Sequence, residues 1–149
     1  MEKQFHIKFV RVEDWVKEVK KGRHFEDETY LKEAFQCIEA GVRSALNNHS
    51  KIVFESTGLT GYFDQMLNSL KNDYKVITIK IQAESALCLN RVKTRDLSIH
   101  INISDDQVIN LNKQVQAKNI ITDFVLDNNH KNLNELKMEI GNITKKYSC

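Results

Sequence analysis

The chain of 149 residues has no proline, only five glycines and only three cysteines. Without Pro- or Gly-rich stretches it contains no linker and no low-complexity segment, so we expect one domain over residues 1–149. Cys37, Cys88 and Cys149 are odd in number and widely spaced, which excludes a C-x-x-C pair and favours reduced thiols in the cytoplasm. No apolar run approaches the roughly 18 residues that span a bilayer, and the first residues lack the features of a secretory signal.

The charge balance narrows the classes of partner. Net charge is +2, with 28% charged and 41% hydrophobic residues, the proportions of a globular protein rather than a disordered one. So small a net charge indicates neither nucleic acid nor a membrane surface as the partner. The five histidines show no metal-ligand spacing with one another or with the cysteines, which disfavours a zinc site.

Strand-like and helix-like segments alternate along the chain. Apolar and β-branched runs predict strands at residues 5–12, 51–55, 75–81 and 123–127. Apolar residues three or four positions apart predict helices at residues 27–47, 62–70, 83–95 and 133–147, with a short helix that ends near Lys20. Ser104 and Gln107 have the spacing of a capping box that begins a further helix. This alternation predicts an α/β fold with parallel strand pairing.

Open parallel sheets bind ligands beyond the carboxyl ends of their strands. That rule selects the polar residues directly after each predicted strand. They are Asp14, Glu55-Ser56-Thr57, Gln82 to Glu84 and Asp127-Asn128-Asn129.

Four segments in this order resemble the P-loop kinase-like fold, the nucleotide- and small-molecule-kinase branch of the P-loop NTPases. They are Val12–Trp15, Ile52–Gly58, Arg91–Arg95 and Thr122–Asn129, and the resemblance covers about residues 5 to 147. It implies a three-layer α-β-α domain with a mostly parallel sheet. It also implies transfer of the γ-phosphoryl group of ATP, with Mg²⁺, to a small molecule or nucleotide as the acceptor.

The first two segments of the resemblance imply the acceptor and metal side of the reaction. Asp14 would orient or deprotonate the acceptor hydroxyl, and Glu55 would hold Mg²⁺ with help from Ser56 and Thr57. The alternatives are an acid favoured by a helix N-terminus for Asp14 and a helix-capping role for Ser56 or Thr57.

The other two segments imply the phosphate and base side. Arg91 and Arg95, four residues apart on one helix face, would clamp phosphates, and Asn128 and Asn129 would contact the base of ATP. Residues 96–103 would be a short lid or its return. The alternatives are a solvated basic helix end for the arginines and a plain Asx turn for the asparagines.

The departure from the family is large, because none of the five glycines is followed by lysine. The first strand and the G-x-x-x-x-G-K-[ST] loop are therefore absent, so we expect an N-terminally incomplete domain, a truncated kinase rather than a remnant that has closed the gap. We expect this chain alone to be catalytically feeble or inactive. The alternative is a degenerate kinase-like module that binds or regulates, with the gap in its sheet filled by a strand from a partner or a second copy. A flavodoxin-like or Rossmann-like domain is a weaker third option, since no G-x-G-x-x-G motif is present.

Overall fold

The computed structural model describes residues 5–24, 27–94 and 104–147. Its contacts divide the chain into two compact units, Met1–Val76 and Ile77–Cys149, which we name the N-terminal unit and the C-terminal unit. Two lobes of one domain and two separate domains both divide in this way, so a single domain over residues 1–149 stays a prediction. No helix within the described ranges is long and apolar enough to cross a membrane.

The described residues of the N-terminal unit form two strands and three helices. In chain order they are β1 (Lys8–Phe9), α1 (Val12–Lys20), α2 (Glu28–Asn48), β2 (Ile52–Val53) and α3 (Gly61–Asp73). The predicted helix at residues 27–47 is confirmed by α2. It begins at Asp27, whose carboxylate accepts hydrogen bonds from the backbone amides of Thr29 and Tyr30.

The core of the N-terminal unit lies between α2 and α3. Ile38 and Val42 of α2 pack with Met66 and Leu70 of α3, and each of the four is at most 8% exposed. Their spacing of four residues places each pair on one face of its helix, so the two apolar stripes meet. Half-buried aromatic and aliphatic side chains surround this cluster, among them Trp15, Phe35, Ile52, Phe54 and Phe63.

The sheet of the N-terminal unit is parallel and has two strands. Lys8 pairs with Ile52, and Phe9 pairs with Val53. Ile52 faces the core, whereas the next pair, Phe9 and Val53, is 41% and 44% exposed. Alternate residues of a strand point to opposite faces, so one face of this sheet is covered by helices and the other is exposed and apolar.

In the C-terminal unit, residues 77–94 and 104–147 form two strands and three helices. In chain order they are β3 (Ile79–Gln82), α4 (Ser85–Lys93), α5 (Asp105–Ala117), β4 (Phe124–Asp127) and α6 (Leu133–Lys146). The strands pair in parallel, from Ile79 with Phe124 to Gln82 with Asp127. The capping box predicted at Ser104 and Gln107 is confirmed, with both of its hydrogen bonds formed at the start of α5.

The predicted three-layer α-β-α fold of the P-loop type is wrong. The chain is 61% helical, and its strands form two separate two-stranded parallel sheets rather than one sheet with a missing strand. A three-layer fold needs a sheet wide enough to hold helices on both faces. Among the described residues each strand has a single neighbour, and β1 is cut short because α1 begins at Val12. Parallel pairing within each sheet agrees with the alternation of strands and helices.

Candidate functional site

The carboxyl ends of β1 and β2 lie side by side in the N-terminal unit. The strands run parallel, and the amide of Val10 donates to the carbonyl of Val53 at 2.9 Å, just past their last paired residues. The chain leaves β1 into α1, with Asp14 in its first turn, and leaves β2 into the loop that starts at Glu55. The structure therefore brings Asp14 and Glu55 to one edge of one sheet, which we name the carboxyl edge.

Asp14 is exposed at the carboxyl edge and is already paired. Lys17 Nζ lies 2.9 Å from one carboxylate oxygen, and Arg11 Nε lies 4.0 Å from the other. The hydrogen bond from Lys17 holds the pKa of Asp14 below its usual 3.8, and the charges of Lys17 and Arg11 add to this against a smaller effect of desolvation. An ionised carboxylate with a low pKa is a poor proton acceptor, so Asp14 is better suited to orienting a hydroxyl than to deprotonating it.

Glu55 is exposed, and no hydrogen bond or ion pair reaches its side chain from the described residues. Ser56, by contrast, accepts a hydrogen bond from the amide of Gly58 at 3.2 Å through its hydroxyl. Gly58 has a φ of +68°, a conformation that glycine adopts without strain, and it turns the loop there. Glu55 and the exposed Thr57 thus present a carboxylate and a hydroxyl to solvent.

The cap of α3 is Thr60, whose hydroxyl accepts from the amide of Phe63 at 3.2 Å. Neither Ser56 nor Thr57 caps that helix, so the capping alternative weighed for them is not what the structure has.

Asn128 and Asn129 follow β4 in the C-terminal unit, where they have structural partners. The amide of Asn128 donates to the carbonyl of Gln82 at 2.8 Å and so extends the strand ladder. The Asn129 side-chain oxygen accepts from the amide of Glu84 at 2.6 Å, and its own amide donates to Asp127 Oδ1 at 2.9 Å. The bond from the Asn129 amide to the Asp127 carboxylate is an Asx turn, as in the alternative weighed for this pair, although its side chain belongs to Asp127. A contact with the base of ATP stays a prediction.

Arg91 lies in the last turn of α4, half-buried. It is six residues past the start of that helix, or about 9 Å along its axis, and so well removed from the carboxyl end of β3. Its carbonyl accepts from the hydroxyl of Thr94 at 3.1 Å. Arg95 and the predicted lid at residues 96–103 lie outside the described residues, so the arginine clamp stays a prediction.

The donor set at the carboxyl edge consists of hard oxygens, which are the ligands that Mg²⁺ prefers. No group of three or more His, Cys, Asp or Glu side chains that could hold a metal is present in the described part of the chain. Mg²⁺ is usually bound through one or two carboxylates, with substrate phosphates and water as its other ligands. A single carboxylate such as that of Glu55 fits this pattern, and Mg²⁺ binding stays a prediction.

The opposite, amino edge of the same sheet was not selected by the sequence analysis. His6, Lys8, His49 and Lys51 line a surface depression there. Each lysine lies at or next to the start of a strand, and parallel pairing brings the starts of two strands together. The register of β1 and β2 was therefore the signal from which the proximity of these four residues could have been predicted.

Comparisons of the chain with protein-family models, with curated proteins and with solved structures find no match in any of the three. The resemblance to the kinases therefore rests on the sequence motifs alone.

Proposed function

We propose that the carboxyl edge of the N-terminal unit binds a magnesium-complexed nucleotide and takes part in phosphoryl transfer to a small molecule or a second nucleotide. The observation that supports this most directly is the exposed, unpartnered Glu55 carboxylate at the end of β2, beside the strand end that leads to Asp14. Glu55 thus lies beyond the carboxyl end of a parallel strand, which is where open parallel sheets bind their ligands.

Each residue of the edge has a distinct proposed role. Glu55 and the Thr57 hydroxyl would hold the magnesium ion, which would supply positive charge that neutralises the phosphates. Asp14 accepts a hydrogen bond from the acceptor hydroxyl and orients it, which requires the flexible Lys17 to move aside. Phosphoryl transfer depends mainly on positioning and on neutralising charge, so an orienting carboxylate is sufficient on the acceptor side.

The phosphate-binding residues of the proposed reaction have less support from the structure than the carboxyl edge has. The resemblance assigns phosphate contacts to Arg91 and Arg95 and base contacts to Asn128 and Asn129, all in the C-terminal unit, and these roles stay predictions that form no part of the carboxyl edge. The sequence has no glycine-rich phosphate-binding loop that is followed by lysine. We therefore expect binding in the range of about 100 μM or weaker, near −5.5 kcal/mol, and turnover that is slow or absent. The cytoplasm is the proposed location, since Cys37 and Cys88 are free thiols.

The test is a calorimetric titration of Mg-ATP into the folded chain and into Glu55→Gln, which keeps the shape of the side chain but removes its charge. Glu28→Gln changes an exposed acid of α2 in the same unit and is the matched control. We expect saturable heat that Glu55→Gln abolishes and Glu28→Gln leaves unchanged. Absence of saturable heat from protein shown to be folded, or equal binding by Glu55→Gln, contradicts the proposal.

A second candidate is a non-enzymatic binding module. It is favoured by Val53, which is 44% exposed on the face of the N-terminal sheet opposite the core, since parallel sheets are normally covered on both faces. Sedimentation velocity over a range of protein concentrations separates the two candidates. Self-association that Val53→Thr weakens, together with no response to Mg-ATP, would favour the module over the enzyme.

A further inference from the structure

Helix α1, which carries Asp14, depends on its neighbours for its position. It has only nine residues, and the residue before it, Arg11, provides no side-chain cap. Helices shorter than about 12–15 residues are marginal by themselves. None of its residues is fully buried, but the half-buried Val12, Trp15 and Val16 share one face, which packs against the core of the N-terminal unit. Contacts on that face therefore fix where α1 lies.

A very close contact joins Trp15 of α1 to Gly41 of α2. A Cβ added at Gly41 would lie 2.6 Å from Cε3 and 2.7 Å from Cε2 of the indole, closer than van der Waals contact allows. Glycine is among the least favourable residues in the interior of a helix, and here its lack of a side chain admits the ring. On the same face of α2, one turn earlier, the Cys37 thiol donates to the Trp15 carbonyl at 3.1 Å. Both the side chain and the backbone of Trp15 are thus held by α2.

The contact with Gly41 also determines where the Asp14 side chain projects. Two residues link β1 to α1, so the strand fixes where the helix starts but not how the helix is turned about its own axis. Asp14 precedes Trp15, and successive residues of a helix project about 100° apart. With the indole against α2, Asp14 is therefore exposed at the carboxyl edge. Glu55 is held by other contacts, because Phe54 beside it packs against the core.

We infer that Gly41 is a positioning residue for Asp14: by admitting the Trp15 ring it fixes how α1 is turned, and with it the placement of Asp14 relative to Glu55. What Asp14 does there rests on the proposed function. Catalytic groups must be held to within about 0.5 Å and 10–20° of their productive geometry, and a misplacement of about 1 Å can lower a rate about 100-fold. A methyl group at Gly41 is expected to exceed that tolerance, because the ring cannot stay where it is.

The test measures residual dipolar couplings of the backbone amides by NMR, which report the direction of α1 relative to α2 in solution. In Gly41→Ala we expect the couplings of α1 to indicate a reorientation of about 10° or more, while those of α2 and α3 stay as in the parent. Gly61→Ala is the matched control, since nothing lies within 4 Å of its added Cβ. Leu70→Ala, a variant of the core, controls for loss of stability and should leave α1 in place.

A milder variant, Cys37→Ala, keeps the inference testable if Gly41→Ala does not fold. It removes the donor to the Trp15 carbonyl and should reorient α1 by a smaller amount. Cys37→Ser, which keeps a donor, should restore the couplings of the parent. Couplings of α1 that match the parent in both Gly41→Ala and Cys37→Ala overturn the inference, as does an equal change in Leu70→Ala.

Calorimetric titration with Mg-ATP separates this inference from the proposed function. Gly41→Ala should bind Mg-ATP as the parent does, because Glu55 and Thr57 lie outside α1. If the parent gives no saturable heat, the proposed function fails, while the measured orientation of α1 still decides the role of Gly41. If the parent binds Mg-ATP and α1 keeps its direction in Gly41→Ala, the inference alone fails.

Discussion

The described parts of the two units have the same number of strands and helices but are stabilised differently. In the N-terminal unit the apolar faces of α2 and α3 meet, and side chains such as Val42, Met66 and Leu70 are each 2% exposed. In the C-terminal unit Val108 and Leu126 are the only hydrophobic side chains buried among the described residues, while Ile81 and Val125 of its sheet are 65% and 56% exposed. The described residues thus form a packed core in the N-terminal unit and a thin one in the C-terminal unit, and ten of the twelve aromatic residues of the chain lie in the N-terminal unit.

Polar contacts organise much of the C-terminal unit. Asp123 Oδ2 accepts from both the amide and the hydroxyl of Thr78, each at 2.7 Å, where the pairing of β3 with β4 begins. Asn129 ties the two strand ends at the other edge. A hydrogen bond contributes about 1 kcal/mol net, whereas full burial of a large aliphatic side chain contributes about 1.5–3 kcal/mol. The comparison therefore predicts that the C-terminal unit is the less stable of the two.

The largest effect is expected from a cavity in the packed core. Leu70→Ala should lower the free energy of unfolding of the N-terminal unit by about 2–5 kcal/mol, because the removed methyl groups leave a void that rigid neighbours do not fill. Ile81→Ala, at a side chain that is 65% exposed, should change stability by less than about 0.5 kcal/mol. Hydrogen exchange read by mass spectrometry measures each unit separately. A large loss from Ile81→Ala would show that its exposed side chain is covered in solution.

The second largest effect is expected at the contact of α1 with α2. Gly41→Ala places a methyl group 2.4 Å from Cδ2 of Trp15, and the forced shift of the indole should destabilise the unit by about 1–3 kcal/mol, more than the gain of about 1 kcal/mol in helix propensity. Gly61→Ala is the matched control, because nothing lies within 4 Å of its added Cβ. Urea denaturation should show Gly61→Ala unchanged or slightly stabilised. Equal stability of the two variants would contradict the tight contact.

A smaller effect is expected in the C-terminal unit. Asp123→Ala removes the acceptor shared by the Thr78 amide and hydroxyl, and we expect a loss of about 1 kcal/mol, since these bonds are exposed. Asp123→Asn keeps an acceptor oxygen and should recover most of that loss. Faster hydrogen exchange confined to β3 and β4 is the expected signature in Asp123→Ala. Unchanged exchange in those strands would mean that other contacts hold the pair.

The smallest effect is expected on the stability of the N-terminal unit at acidic pH. The hydrogen bond from the Ser69 hydroxyl, 2.6 Å from Glu39, is the largest cause of a pKa of Glu39 below its usual 4.5, and the guanidinium of Arg43 lowers it further against desolvation. A carboxyl whose folded pKa is lowered stabilises the fold above its unfolded pKa, and this contribution is lost as the pH falls through the folded pKa. The N-terminal unit should therefore lose stability below pH 4.5. Thermal unfolding at several acidic pH values should show a shallower loss for Ser69→Ala, and an identical loss would contradict the assignment.

The units also differ in how well their sequences predicted them. The helix at residues 27–47 was predicted to within a residue at each end, because its apolar residues repeat with a helical period over five turns. Tyr30 and Ala34 were missed as core residues although both are buried, since a helical period does not say how wide the buried face is. Of the strand predicted at residues 5–12, only Lys8–Phe9 is a strand in the structure, because a strand extends only as far as a neighbour pairs with it.

The candidate site also has some features that the sequence predicted and others that it did not. Asp14 and Glu55 do follow strands that pair in parallel, which the order of the elements is enough to predict, while their functional roles stay predictions. That Lys17 already pairs with Asp14 and that Asn129 is engaged by Glu84 did not follow from spacing. The number of strands in each sheet did not follow from spacing either, and for this reason the three-layer prediction was wrong.

The sequence by itself determined the local features of this protein: the helices and their caps, the parallel sense of strand pairing, and the polar residues that follow the strands. These depend on periodicity and on side chains a few residues apart. Only the tertiary structure decided how many strands join a sheet, which apolar faces are covered, and that Lys8 and Lys51 become neighbours. These features depend on contacts between segments far apart in the chain, whose energies compete with one another and have no local signature in the sequence.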